Sequence, residues 1–322
     1  MSSSRCVAPT DPFDQSTRLG VNRPVHWGGK LQDVGEPVES VQSSVNVAAV
    51  QLSSGSDVQR NVDAAIELVR EAAASGAQYV QLPEYFNYLG PARGFAAARE
   101  PVPGPTTIRM GELARSLSIT LHLGSVLEAI PDATRSFNTS VLLGPDGGII
   151  ATYRKAHLFD VDVPGQIVHR ESDDIAPGHE MVIARAASMN LGMTICFDVR
   201  FPELYRTLAT NGANVLAIPA AFNATTGLAH WELLVRSRAV ENHAYVVSAA
   251  QVGTTSEGIA TYGHSMIVDP WGTVLAESTR DGPDVISATL DLGEVERRRG
   301  QMDVLALRRP DFYGGVVRRV DP

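Results

Sequence analysis

One stretch of the sequence decides the fold: Leu191-Gly-Met-Thr-Ile-Cys196-Phe-Asp-Val-Arg200-Phe-Pro-Glu-Leu-Tyr-Arg206. An apolar run ends at Cys196, and Pro202 followed by Glu203 is typical of the first turn of a helix. The pattern predicts that Cys196 lies at a corner between a strand and a helix N-terminus, where the helix dipole would lower the pKa of its thiol. Cys196 is then either a nucleophile at a sheet edge or a small buried apolar residue.

The overall composition indicates an ordinary globular protein. The chain has 322 residues, of which 44% are hydrophobic and 20% are charged. Its net charge of −9 argues against an extended nucleic-acid surface. The sequence shows no apolar run of membrane-spanning length and no pattern of a secretory signal. The two cysteines, Cys6 and Cys196, make a structural disulfide unexpected, so we expect a protein of a reducing compartment, the cytoplasm.

The chain divides into a tail, one domain and a short C-terminal tail. Residues 1–44 lack apolar periodicity and are predicted to be poorly ordered or to pack on a partner. Residues 45–315 show no linker or repeat, so we interpret them as one domain, and residues 316–322 as a tail. Strand–helix units alternate with tight hairpins in this domain. The sequence therefore predicts an α/β fold with mixed sheets.

Two segments are predicted to be irregular. The first is a long loop from about residue 158 to residue 177, and loops of this length inside a compact domain are usually functional. The second is a loop at residues 222–227, before a helix at residues 230–243. Its residues Phe222 and Thr226 are candidates for walling a pocket; ordinary loop packing is the alternative.

Three residues at predicted strand ends carry complementary chemistry. Glu84 and Lys155 each follow a short strand, as Cys196 does. A carboxylate can take the proton of a thiol, and an ammonium group together with the Phe197 N–H can stabilise an oxyanion. A single Glu or Lys is most often a solvated surface residue. The hypothesis of a catalytic site therefore rests on the three residues together.

The sequences around these residues resemble the signatures of the nitrilase, or carbon–nitrogen hydrolase, superfamily. Leu-Pro-Glu84-Tyr, Tyr-Arg-Lys155-Ala-His-Leu-Phe-Asp and Ile-Cys196-Phe-Asp-Val-Arg-Phe-Pro-Glu-Leu occur in order. The resemblance implies a triad without metal or cofactor: Glu84 as general base, Lys155 as proton donor and oxyanion stabiliser, and Cys196 as nucleophile. It also implies a four-layer α-β-β-α sandwich and a homodimer or higher homo-oligomer.

Within the superfamily, further motifs resemble the Nit branch of omega-amidases and deaminated-glutathione amidases. They include Ala-His-Trp-Glu-Leu-Leu-Val-Arg-Ser-Arg and Tyr-Gly-His-Ser-Met-Ile-Val-Asp-Pro-Trp-Gly. The resemblance implies an amidase that releases ammonia from a small carboxylate-bearing ω-amide through a Cys196 thioester. A fourth, auxiliary glutamate of such enzymes matches Glu171; a loop carboxylate in water is the alternative. A nitrile- or carbamoyl-hydrolysing enzyme with the same triad, a thiol peroxidase and a non-catalytic binding module remain as rival functions.

The remaining polar residues suggest a substrate contact and no metal. Arg200 follows Cys196 by four positions and is a candidate for clamping a substrate carboxylate. A structural salt bridge with Asp198 or Glu203 is an equal alternative. The eight histidines show no metal-ligand spacing, so we predict no metal site.

Overall fold

The computed structural model describes residues 44–163, 167–256, 258–313 and 318. The two predicted tails lie outside these residues apart from Ser44 and Arg318. The strands are β1 (Ser44–Gln51), β2 (Tyr79–Gln81), β3 (Thr120–His122), β4 (Val126–Ala129), β5 (Ser136–Leu143), β6 (Ile149–Arg154), β7 (Asp160–Val163), β8 (Ile167–Arg170), β9 (Ile175–Ala176), β10 (Val182–Ala186), β11 (Met189–Met193), β12 (Val215–Ala217), β13 (Tyr245–Ser248), β14 (Val252–Thr254), β15 (Ala260–Tyr262), β16 (Met266–Val268), β17 (Val274–Glu277) and β18 (Asp284–Asp291). The helices are α1 (Val58–Ala74), α2 (Phe95–Ala98), α3 (Pro105–Leu117), α4 (Pro202–Thr210), α5 (Ala224–Asn242), α6 (Leu292–Gln301) and α7 (Pro310–Tyr313). Short three-ten helices occur at Ala92–Gly94, Glu171–Asp173 and Cys196–Arg200.

Two large mixed sheets form the body of the protein. The first has the order β18-β1-β2-β3-β5-β4, with β6 and β9 also pairing with β5. Its strands β1, β2 and β3 are parallel, and β18 is antiparallel to β1. The second has the order β10-β11-β12-β13-β16-β17, with β11, β12 and β13 parallel. Both sheets are mixed, as the sequence predicts.

Side chains on opposite faces of the strands pack in separate cores, and the result is a structure of four layers. In β1, Val47 and Ala49 belong to the core that the two sheets share, whereas Ala48 and Val50 pack in a second core with α1 and α3. This is the two-residue period of a strand buried on both faces. Helices α4 and α5 contact the second sheet through β11 and β13. The predicted α-β-β-α sandwich is therefore confirmed.

The helix boundaries follow local sequence signals. Asp57 caps α1 by accepting a hydrogen bond from the Arg60 N–H at 3.1 Å. Gly76, with φ +92°, follows the end of this helix, where the left-handed conformation favours glycine. Pro202 begins α4 as predicted. None of the helices that the structure describes is long and apolar enough to cross a membrane.

The predicted long loop at residues 158–177 is wrong in part. Strands β7 and β8 form an antiparallel hairpin within it, from Asp160 paired with Arg170 to Val163 paired with Ile167. A three-ten helix and β9 complete the segment. The hairpin is mostly exposed, so it lacks the apolar run by which a buried strand is recognised.

The predicted loop at residues 222–227 is also wrong in part. Helix α5 begins at Ala224, and its N-cap Asn223 accepts a hydrogen bond from the Thr225 N–H at 2.9 Å. Gly227 suggested a loop, but here it is a helical residue packed against the Tyr262 ring, which a Cβ would meet. Thr226 therefore lies in the first turn of α5, while Phe222 precedes the helix.

Candidate active site

Cys196 lies three residues beyond β11 and begins the three-ten helix Cys196–Arg200. Its φ of +45° is in the left-handed region, which residues with a Cβ rarely adopt. The Cys196 N–H donates a hydrogen bond to the Pro219 carbonyl at 2.8 Å, which fixes this conformation. The predicted strand end is present, but α4 begins only at Pro202. Backbone strain of this kind is often found at functional sites.

Lys155, directly after β6, lies between two glutamates. Its Nζ donates hydrogen bonds to Glu84 Oε1 at 2.9 Å and to the two carboxylate oxygens of Glu171 at 3.1 and 2.9 Å. The side chains of Lys155, Glu84 and Glu171 are only 2%, 2% and 6% exposed. Buried charges of this kind must be paired, and here one cation serves two carboxylates.

Further donors fix the Glu84 carboxylate. Asn138 Nδ2 donates to its Oε1 at 2.8 Å, and the Ala221 N–H donates to its Oε2 at 2.8 Å. Glu84 also hydrogen-bonds with the Cys196 thiol. Lys155, Asn138 and the Ala221 N–H thus hold the carboxylate beside the thiol.

Glu171 is held in a comparable way. The Tyr85 hydroxyl donates to its Oε1 at 3.0 Å, and the Phe159 N–H donates to its Oε2 at 2.7 Å. Burial acts to raise the pKa of Glu171, but the Lys155 charge and these donors outweigh it and lower the pKa. Glu171 is therefore a buried anion, not the water-exposed loop carboxylate that was the alternative.

The prediction of a lowered thiol pKa is wrong. Burial and the nearby Glu84 carboxylate raise the pKa of Cys196 well above its usual value, against the opposing charge of Lys155. Burial also acts to lower the pKa of Lys155, but Glu171 and Glu84 outweigh it and raise that pKa well above its usual range. The site therefore contains a protonated thiol, a lysine cation and a carboxylate that can accept the thiol proton.

A cavity of about 780 Å³ opens onto these groups. Its lining includes Glu84, Lys155, Glu171 and Cys196. The four predicted substrate-binding residues line the same cavity: Phe197, Arg200, Phe222 and Thr226. The structure thus brings together all eight residues singled out from the sequence.

The salt bridges considered for Arg200 do not form among the described residues. The Asp198 carboxylate instead accepts hydrogen bonds from the Tyr153 hydroxyl at 2.8 Å and from the His157 N–H at 3.1 Å. The guanidinium of Arg200 lies 3.3 Å from His230 Nδ1 and over the rings of Phe197 and Phe222. Arg200 therefore lines the cavity and pairs with no carboxylate of the residues that the structure describes.

Sequence reasoning missed three residues of this site: Asn138, Ala221 and Tyr85. Asn138 and Ala221 lie 54 and 137 positions from the glutamate they contact, so no local spacing marks them. Tyr85 is adjacent to Glu84 and has a φ of +54°. Among the residues that the structure describes, no group of three or more His, Cys, Asp or Glu is arranged to hold a metal ion.

The class of protein follows from the similarity of this chain to known proteins. The model of the carbon–nitrogen hydrolase family matches residues 46–299. Human omega-amidase NIT2 is 41% identical over 277 residues, which cover 86% of this chain and 99% of that protein. Human deaminated glutathione amidase is 43% identical over 277 residues, which cover 84% of each chain.

A solved structure agrees with these likenesses. Saccharomyces cerevisiae Nit3, a member of branch 10 of the nitrilase superfamily, matches with a TM-score of 0.74 and 32% identity, over 83% of this chain and 96% of that one. The fold and the relatives define an enzyme that hydrolyses carbon–nitrogen bonds. The chain belongs to the carbon–nitrogen hydrolase family, and its predicted resemblance to the Nit branch is confirmed.

Proposed function

We propose that this protein is an amidase in which Cys196 is the nucleophile, Glu84 the general base and Lys155 the oxyanion stabiliser. One observation carries the proposal: Lys155 Nζ lies 2.9 Å from Glu84 Oε1, and the same carboxylate hydrogen-bonds with the buried Cys196 thiol. A nucleophile, a base and a cation at one cavity are the parts that acyl transfer requires.

The reaction starts from the protonated thiol. Glu84 accepts the Cys196 proton as the sulfur attacks the amide carbonyl, and Lys155 together with the Phe197 N–H stabilises the oxyanion. Glu84 then returns the proton to the leaving amine, and a thioester to Cys196 remains. Water attacks the thioester while Glu84 accepts its proton, which releases the acid and restores the thiol. Water is the co-substrate, and no metal or cofactor takes part.

Glu171 serves as an auxiliary, positioning residue in this proposal. Each of its two carboxylate oxygens accepts a hydrogen bond from Lys155 Nζ, at 3.1 and 2.9 Å. It therefore keeps the lysine charged and directs it toward the carbonyl oxygen. The buried site needs this second anion, because the Glu84 carboxylate becomes neutral in each half-reaction.

The substrate is proposed to be a small ω-amide that bears a carboxylate, such as α-ketoglutaramate or deaminated glutathione. The names of the two human relatives support this class. Arg200 supplies a cation for the carboxylate, while Phe197, Phe222 and Thr226 wall the cavity. The leaving amine is ammonia for α-ketoglutaramate and cysteinylglycine for deaminated glutathione.

A substrate panel tests the proposed function. We expect α-ketoglutarate to form from both α-ketoglutaramate and deaminated glutathione, and ammonia to form from the first. Nitriles and N-carbamoyl amino acids should not be turned over, and a chelator should leave the activity intact. Faster turnover of nitriles or N-carbamoyl amino acids would instead assign the enzyme a nitrilase or carbamoyl-hydrolysing activity with the same triad. Absence of turnover on the whole panel would favour a binding module.

We also propose that the protein is a cytoplasmic homodimer or higher homo-oligomer. A cytoplasmic location would keep the Cys196 thiol reduced. The proposed dimer is supported by a groove along α5 that is lined by the exposed apolar residues Leu228, Leu233, Val240 and Trp271, with exposed fractions of 81%, 66%, 44% and 54%. The charged residues Glu232, Arg236 and Glu241 also line this groove. Exposed apolar patches of this kind often mark subunit interfaces.

The dimer gives a separate prediction. Leu233→Glu should convert the dimer into monomers, because it would bury a further carboxylate beside those of Glu232 and Glu241 in the interface. Light scattering after size-exclusion chromatography measures the change. Ile108→Glu is the matched control, since Ile108 is 56% exposed on α3, in the opposite helical layer. A wild-type monomer, or a dimer that survives Leu233→Glu, would contradict this interface.

A further inference from the structure

Asp198, two positions after the proposed nucleophile, carries a carboxylate that is 0% exposed. Its Oδ2 accepts hydrogen bonds from the Ile195 N–H at 2.9 Å and from the Tyr153 hydroxyl at 2.8 Å. Its Oδ1 accepts one from the His157 N–H at 3.1 Å and lies 2.7 Å from His157 Nδ1. A carboxylate has no proton to donate, so Nδ1 is the donor in this pair. Four donors thus offset the cost of burying this anion.

The bond to Ile195 closes a small ring of residues 195–198, which we call the nucleophile corner. The Ile195 N–H donates to the Asp198 carboxylate, and the Asp198 N–H donates to the Ile195 carbonyl at 3.0 Å. The two residues between them are Cys196, the proposed nucleophile, and Phe197, whose N–H is proposed to stabilise the oxyanion. The ring therefore supports the strained backbone of Cys196, at φ +45°, and fixes the Phe197 N–H beside it.

The other partners of Asp198 belong to the segment that carries Lys155. Tyr153 precedes Lys155 by two positions in β6, and His157 follows it by two positions. Burial and the Asp198 carboxylate raise the pKa of Tyr153 well above its usual value, so its hydroxyl stays protonated and donates. The imidazole of His157 stacks on the Phe201 ring, with centroids 3.7 Å apart, which fixes its plane. The carboxylate of Asp198 thus ties the nucleophile corner to both sides of Lys155.

This connection joins the groups that must act together on the substrate. The Cys196 sulfur, the Phe197 N–H and the Lys155 ammonium group have to converge on one carbonyl, and a misplacement of about 1 Å can cost on the order of 10²-fold in rate. Neither Asp198 nor His157 is among the described residues that line the cavity. Their effect on the reaction therefore passes through the residues that they hold.

We propose that Asp198 is a positioning residue, which holds Cys196 and the Phe197 N–H in place relative to Lys155. The inference rests on the proposed amidase function and adds a residue that aligns its reacting groups. A carboxylate suits this role because every partner donates: two backbone N–H groups, a hydroxyl and an imidazole N–H. An asparagine of the same shape would turn its NH₂ toward one of the two backbone N–H groups in either orientation.

Asp198→Asn tests this role with the most active amide of the substrate panel. It should lower kcat by about 10²-fold, because the reacting groups lose their alignment. KM should change little, because Asp198 is not proposed to bind the substrate. Asp146→Asn is the matched control, since Asp146 is an exposed carboxylate that accepts the Gly148 N–H at 3.0 Å in the turn between β5 and β6. This control should keep wild-type kcat, and thermal unfolding checks that both variants are folded at the assay temperature.

Two substitutions at His157 decide the question if Asp198→Asn does not fold. His157→Ala removes the Nδ1 donor and should lower kcat by about tenfold, as expected for one hydrogen bond to a charged group. His157→Asn places an amide N–H near the position of Nδ1, so it should be several-fold more active than His157→Ala. Both variants lose the stacking on Phe201, so their difference reports on the donor. A merely structural role would lower the stability of both variants without this order in kcat.

The outcomes separate this inference from the proposed function. A folded Asp198→Asn variant with wild-type kcat would overturn the positioning role and leave the amidase assignment standing. A raised KM with unchanged kcat would also overturn it, because Asp198 would then act in substrate binding. Equal kcat in His157→Ala and His157→Asn, or an equal loss in Asp146→Asn, would contradict it as well. Hydrolysis of no amide by the wild type would overturn both proposals.

Discussion

Cys196→Ala should lower kcat by at least about 10⁴-fold while leaving the protein folded, because it removes the sulfur that is proposed to form the acyl bond. The substitution deletes one sulfur at the wall of a cavity and keeps a Cβ, so the backbone at φ +45° is no more strained than before. Turnover with α-ketoglutaramate and thermal unfolding measure the two effects. Unfolding together with loss of activity would leave the catalytic role unsupported, whereas substantial residual turnover would contradict it.

Alkylation tests the reactivity of the Cys196 thiol independently of turnover. Iodoacetamide should label Cys196, and substrate should protect it. Labelling should accelerate as the pH rises, because the pKa of this thiol is raised by burial and by Glu84. Cys6→Ser is the matched control, since Cys6 is the other cysteine of the chain. Labelling confined to Cys6 would count against a reactive thiol at Cys196.

The second large effect is expected at Glu84. Glu84→Gln should lower kcat by several orders of magnitude, of which general base catalysis alone accounts for roughly 10²–10⁴-fold. The substitution should also disturb the hydrogen bonds of this side chain. Both carboxylate oxygens of Glu84 accept hydrogen bonds, one from Lys155 and Asn138 and the other from the Ala221 N–H. The amide NH₂ of glutamine must therefore face a donor in either orientation. Rapid-quench kinetics should detect any trapped thioester, since deacylation needs the same base.

Lys155→Met belongs with this prediction because both residues are proposed to serve one transition state. Losing an oxyanion stabiliser costs on the order of 3–4 kcal/mol in the activation barrier. The methionine also leaves two buried carboxylates without their cation, which typically costs about 3–5 kcal/mol of stability. Unfolding in denaturant separates this loss from the loss in kcat. The losses in kcat of the two variants should not add in the double mutant.

Binding of a substrate analogue supplies the control for both variants. It should change less than kcat does, because neither Glu84 nor Lys155 is proposed to hold the substrate carboxylate. Retention of more than about a tenth of wild-type turnover by either single variant is far above what these roles allow. That residue would then need a different role.

Much of the site could be predicted because its residues follow short strands that the sequence marks clearly. Apolar runs end shortly before Glu84, Lys155 and Cys196, and the sandwich places these ends beside one cavity. The start of α4 at Pro202 and the capping of α1 by Asp57 are equally local signals. Such features need no knowledge of the tertiary structure.

The features that were missed depend on the tertiary structure. The raised pKa of Cys196 results from burial and from Glu84, which lies 112 positions away, whereas the sequence suggested only the local helix dipole. Gly227 looks like a loop residue until Tyr262 is seen against it. The β7–β8 hairpin pairs two short, mostly exposed strands, Asp-Val-Asp-Val and Ile-Val-His-Arg. Neither contains an apolar run long enough to mark a buried strand.

The pairing of β1 with β18 has a consequence for synthesis of the chain. The first strand of the domain, Ser44–Gln51, forms its antiparallel ladder with Asp284–Asp291, near the end of the chain. Translation proceeds from the N-terminus, so β1 must wait for more than two hundred residues before this neighbour leaves the ribosome. A chain interrupted anywhere before residue 284 would expose an unpaired strand edge and would be a substrate for quality-control proteases. Only complete copies of the enzyme should accumulate.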